Sequence, residues 1–181
     1  MARQKEKMLT AVIRNRNTAS NVYEWLQEQG YGSSEINVLM SDKTRATFTD
    51  KGTEGKIKSS DKAMAGVATG GAIGTAVGAT LGAVLAIGTS VALPGLGFIV
   101  AGPILAGLAG GGAGAVAGGI VGGLVGLGIP ESNARAYEEA LNTGGVVFGV
   151  VPHNSHDADV IQKYFEKHGA ENIVYADCNC A

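Results

Sequence analysis

No charged residue occurs between Lys62 and Glu131, and the 181-residue chain has only two cysteines, four prolines and 6% aromatic residues. Each shortage excludes something. An uncharged stretch of that length offers no solvated face to water, so whatever it forms needs apolar cover. Cys178 and Cys180 lie two apart, where a bridge between them would be strained, and two cysteines cannot make the disulfide framework of a small secreted domain. Free thiols in a reducing, cytoplasmic compartment are the expectation. The segment 1–7 is basic, but the apolar run Leu9 to Ile13 is too short for a signal-peptide core and is followed by Arg14, so no secretory leader is expected. With 14 Lys+Arg against 16 Asp+Glu the net charge is -2, which argues against a nucleic-acid partner. The charge is uneven: residues 1–62 hold eleven basic and eight acidic side chains, residues 131–181 three and eight.

Outside the uncharged stretch the chain reads as the same unit written twice. Thr10 to Ile13 has the pattern of a strand, Asn17 or Thr18 suits an N-cap, and Val22, Trp25 and Leu26 share one face of a helix that Gly30 closes before a strand at Ile36 to Met40. Near the other end, Val146 to Val151 is a strand, Ser155 or Asp157 caps a helix carrying Ile161, Tyr164 and Phe165, Gly169 stops it, and Ile173 to Ala176 is a strand again. Aligning Gly30 with Gly169 aligns Val22 with Ile161, Trp25 with Tyr164 and Leu26 with Phe165. A repeated β-α-β pair predicts an α+β, ferredoxin-like sandwich, one four-stranded antiparallel sheet with two helices on one face. The predicted organisation is a first half at 1–41, a polar linker at 42–62, an insertion at 63–129 and a second half at 130–181. Pro130-Glu131 starts a short helix with Ala134, Tyr137, Ala140 and Leu141 on one side, and Gly144-Gly145 turns the chain into the third strand.

The insertion holds 21 of the 29 glycines. Gly66, Gly70, Gly74, Gly78 and Gly82 recur every fourth residue, and Gly110, Gly114, Gly118, Gly122 and Gly126 do so again. On a helix this spacing makes a groove without side chains, into which another helix backbone can press. Two long helices, 63–88 and 103–128, are predicted around a turn at Leu93-Pro94-Gly95-Leu96-Gly97. Val116, Ile120 and Leu124 form a ridge beside the second groove. Such helices are covered by copies of the same chain, in a homo-oligomer with an apolar interior, or by lipid; in the latter case Lys56, Lys58 and Lys62 place both termini in the cytoplasm.

Little else points to chemistry. Gly112 to Ala117 fits a loose G-x-G-x-x-A pattern but lies inside the glycine series, so no dinucleotide cofactor is expected. The strand positions Val12, Val38, Val147, Phe148 and Val174 supply one aromatic, too few for an RNA-binding sheet. His153 and His156, with Asp157 and Asp159 beside them, would hold a metal only if Cys178 and Cys180 folded back on them, and the spacing matches no closed zinc site. No paired carboxylates, nucleophile-base pair or phosphate loop marks an enzyme. The alternative to an assembly protein is a membrane-tethered ferredoxin-like module that binds a metal or small ligand.

The order strand, helix, strand, glycine-rich hairpin, then Gly126-Leu127-Gly128-Ile129-Pro130-Glu131, Tyr137-Glu138-Glu139-Ala140-Leu141 and Gly144-Gly145-Val146-Val147 resembles the YflT-like heat-induced general stress proteins. The resemblance runs from about Leu9 to Ala176. It implies a bacterial, stress-associated, non-enzymatic protein, with no catalytic or ligand residues to carry over. The polar stretch at 41–62 and the terminal Cys-Asn-Cys-Ala depart from the pattern.

Overall fold

The computed structural model describes residues 6–32, 35–52, 90–93, 97–102 and 113–178. Among them are six strands and five helices: β1 Glu6–Ile13, α1 Arg16–Glu28, β2 Ile36–Ser41, α2 Asp42–Gly52, β3 Ser90–Leu93, β4 Phe98–Ala101, α3 Ala113–Gly126, α4 Glu131–Asn142, β5 Val146–Val150, α5 Ser155–Lys167 and β6 Glu171–Cys178. The class is α+β. The strands form one sheet in the order β3-β4-β2-β5-β1-β6, with every neighbouring pair antiparallel.

Helix ends follow local chemistry. Asn15, rather than Asn17 or Thr18, caps α1, its side chain accepting from the amides of Asn17 and Thr18 at 2.9 and 3.2 Å. Asn154, rather than Ser155 or Asp157, caps α5 by accepting from the Asp157 amide at 2.9 Å. Gly30 and Gly169 follow the two helices with positive φ of 93° and 71°, as their stop positions require.

On one face of the sheet α1 and α5 bury Val22, Leu26, Ile161 and Phe165 against Leu9, Ile13, Ile36, Val38, Phe148 and Val150. The remaining matched pair, Trp25 and Tyr164, stacks directly, ring centroids 3.8 Å apart and planes 6° from parallel. Equivalent positions of a twofold repeat meet where the two helices touch, and here the meeting is a ring stack.

Three expectations are corrected. The sheet is covered on both faces, not one: α4 lays Ala134, Tyr137, Ala140 and Leu141, and α3 lays Ile120 and Leu124, over Met8, Val12, Leu39, Val100 and Val147. The polar linker expected at 42–62 begins as α2, whose Phe48 is buried in the α1–α5 core under Arg16, 5.2 Å from the ring centre. A single aromatic with polar neighbours carries no periodic signal, so the helix was not legible. Residues 90–93 and 98–101, expected as flanks of a helix-to-helix turn, are β3 and β4, which widen the sheet from four strands to six. Val91 to Leu93 and Phe98 to Ala101 have strand composition, but the glycine repeat on either side obscured it.

The chain leaves α3 by a tight approach to β6. Gly128 has φ +99°, and a Cβ there would run into the carbonyl oxygen of Asp177, which ties the Gly126–Glu131 motif to the last strand. Tyr137, fully buried, donates from its hydroxyl to the carbonyl of Asn172 at 2.7 Å and shares a 2.8 Å bond with the Thr10 hydroxyl. Tyr23 is equally buried, but its hydroxyl has no partner among the described residues. Burial pushes both phenols up to about 12 from 10.0. The unfolded chain therefore releases these protons first, and stability present below pH 10 is lost as pH rises toward 12.

Removing the two hydroxyls should have opposite consequences. Tyr137→Phe is expected to cost about 1–2 kcal/mol, because it deprives the Asn172 carbonyl of its donor and the buried Thr10 hydroxyl of a partner, whereas Tyr23→Phe should be neutral or stabilising by up to about 1 kcal/mol. Urea denaturation at neutral pH reads both; a Tyr23→Phe loss as large as that of Tyr137→Phe would contradict the assignment of partners.

Candidate functional site

Of the ten glycines in the two series, Gly66, Gly70, Gly74, Gly78, Gly82 and Gly110 lie outside the described residues, and so does the predicted helix 63–88. Gly114, Gly118, Gly122 and Gly126 lie on α3. The helix is not continuous: Gly119 has φ 60° and ψ -151°, a conformation no helix contains. The expected uninterrupted groove is thus divided into a Gly114–Gly118 part and a Gly122–Gly126 part. Glycine makes such a break cheap, since it enters positive φ without a Cβ clash.

Beyond the break, α3 has two different sides. Ile120 and Leu124 are buried against the sheet at 1% exposure, so the ridge expected beside the groove belongs to this chain's own core. Val125 is 42% exposed, Gly118 and Gly126 are exposed, and Val121 and Gly122 are half-buried. A Cβ added at Gly118 or Gly126 would meet nothing within 4 Å. The outward side is therefore an apolar groove edged by valine, without one polar side chain. No helix among the described residues is long and apolar enough to cross a membrane.

The histidine pair of the sequence is separated in role. His153 lies between two carboxylates: Nε2 is 2.9 Å from Glu35 Oε1 and Nδ1 is 3.9 Å from Asp157 Oδ2. Its ring stacks on Tyr31 at 4.5 Å, and its backbone amide donates to the Tyr31 hydroxyl, which donates to Asp157 Oδ2, both at 3.3 Å. Glu35 Oε2 accepts from the Gly32 amide at 2.8 Å. That backbone donor and then His153 hold the Glu35 carboxyl below its ordinary 4.5. Burial raises the Tyr31 phenol. His156 and Asp159 are exposed.

Each nitrogen of His153 is turned to a different carboxylate, so no single ion can take the imidazole and both acids. No group of three or more His, Cys, Asp or Glu able to hold a metal occurs among the described residues. Cys178 is buried in the core on the α4 side of the sheet, whereas Tyr31, on which His153 stacks, belongs to the α1–α5 side, so the cysteine does not join the histidines. Cys178 is also disulfide-bonded, which corrects the expectation of free thiols and removes the argument drawn from them for a reducing compartment. Cys180 lies outside the described residues. Sequence reasoning missed Tyr31 and Glu35. Their only signal was position, immediately after the Gly30 stop and immediately before β2, on the connection that faces the β5–α5 turn.

No family model, curated protein or solved structure matches this chain.

The depressed Glu35 carboxyl gives a signed pH effect. Its stabilising contribution is present above the ordinary value of 4.5 and is lost as pH falls through the lower folded value. Glu35→Gln should therefore be less stable than the parent chain near neutral pH, with the difference closing on acidification below pH 4.5. Thermal denaturation of both chains along a pH series measures this, and a difference that widens in acid would refute the pairing.

Proposed function

We propose that the chain is a structural, non-enzymatic protein that assembles with copies of itself through the glycine-rich outer side of α3. The fold that carries this helix is read as a ferredoxin-like sandwich into which a glycine-rich segment is inserted. The inner strand order β2-β5-β1-β6, with a helix following β1 and another following β5, supports that reading. The Gly126 to Val147 motif supports placement beside the YflT-like general stress proteins, and a stress-associated role comes with that placement.

One observation carries the assembly: among the described residues, the outer side of α3 is apolar and has room. A helix on the surface of a lone globular protein presents polar residues to water. Here the exposed positions are Gly118, Val125 and Gly126, with Gly122 half-buried beside them, while Val121 packs toward the sheet. Glycine costs about 1 kcal/mol per residue against alanine in an exposed helix, so a helix with six glycines in fourteen residues is stable only where close packing offsets the loss. A second copy of the same helix fits, glycine of one against valine of the other.

Gly118→Leu is expected to leave the chain folded, because its side chain enters open space, and to reduce the size of the assembly. Val125→Lys should do the same by placing charge on the packed surface. Light scattering gives the mass and circular dichroism the fold. Assemblies of unchanged mass in both variants would dispose of the α3 interface.

A further inference from the structure

The contacts of His153 belong to no part of the α3 surface. They join two connections that are distant in sequence: the α1–β2 turn, which supplies Tyr31, Gly32 and Glu35, and the β5–α5 turn, which supplies His153 and leads to Asp157. We infer that His153 is a proton-operated clasp between these two turns. Glu35 precedes β2 and Asp157 lies in the first turn of α5, so the clasp fixes the mouth of the sheet where the two repeats meet.

The argument is one of charge. Nε2 of His153 lies 2.9 Å from Glu35, a hydrogen bond, and Nδ1 lies 3.9 Å from Asp157, within ion-pair reach but beyond a hydrogen bond. A neutral ring donates its single N–H to one carboxylate, whereas the protonated ring makes that bond charge-assisted and adds attraction to Asp157. When the proton leaves, the charge is lost from both contacts and the clasp loosens. The stack on Tyr31 acts in the same sense, because the face of a phenol ring attracts a cation. The groups facing the ring are Glu35 and Tyr31 from one turn and Asp157 from α5. No Lys or Arg pairs with either acid among the described residues. The His153 side chain is 49% exposed, so protons reach it directly from water. Histidine is the side chain whose charge changes in the physiological pH range.

Two amides report the state of the clasp: that of Gly32, which donates to Glu35 Oε2, and that of His153, which donates to the Tyr31 hydroxyl. Hydrogen exchange of the full chain, expressed as protection factors, should show both amides losing roughly threefold protection between pH 5.5 and pH 8.5, the size of an exposed ion pair. In His153→Gln, which keeps one N–H donor but takes up no proton, protection should be the same at both pH values, and Glu35→Gln should likewise remove the response at the His153 amide. Amides of the β1–β5 pair serve as the reference and should not change. A parent chain with equal protection at both pH values, or a His153→Gln chain with the same loss as the parent, overturns the clasp.

Discussion

β5 pairs antiparallel with β1 on one side and β2 on the other, and the rest of the molecule follows from that double pairing. Val150 stands opposite both Leu9 and Ile36, and Val146 opposite both Ile13 and Met40. A strand from the last third of the chain thus becomes the centre of a sheet begun at its start. Closing the loop from Ser41 to Val146 costs roughly 4 kcal/mol in chain entropy. Burying three valines and Phe148 of β5 stabilises by more, about 1.5–3 kcal/mol for each side chain. Because β5 is covered on both faces, the sheet needs a layer on each. The α1–α5 pair supplies one. Residues 113–142 supply the other, which makes the end of the glycine-rich insertion part of the fold.

That last point separates what the sequence disclosed from what it withheld. The β-α-β repeat was legible because each half carries its own periodic pattern and a glycine stop, and the matched positions Val22 with Ile161 and Leu26 with Phe165 are all core residues of one cluster. The burial of Ala134, Tyr137, Ala140 and Leu141 was legible for the same reason. The strands β3 and β4 were not, since four apolar residues give too short a run to tell strand from helix when glycine repeats flank them. Asn15 and Asn154 took the caps from neighbours of similar chemistry, an ambiguity of one to three residues that spacing alone does not resolve.

The site was legible only in part. A glycine every fourth residue announces close helix packing, but it does not reveal that Gly119 breaks α3 or that Ile120 and Leu124 turn inward. Both facts divide the proposed contact surface into Gly118 on one side of the break and Gly122, Val125 and Gly126 on the other. His153 stood out as a polar residue in a turn. Its partners Glu35 and Tyr31 are more than a hundred residues away, brought to it by the β2–β5 pairing, which no local pattern displays.

The central claim, that copies of this chain meet across the outer side of α3, is tested most directly by photo-crosslinking from position 125. A benzophenone amino acid replaces the exposed Val125, isotopically light and heavy chains are mixed in equal amounts and allowed to exchange, and the irradiated products are read by mass spectrometry. The account predicts crosslinked dimers of mixed isotopic mass, with the crosslink falling on the glycine-rich residues of the second copy. Efficient crosslinks found only within single chains, or none beyond those to solvent, would contradict it.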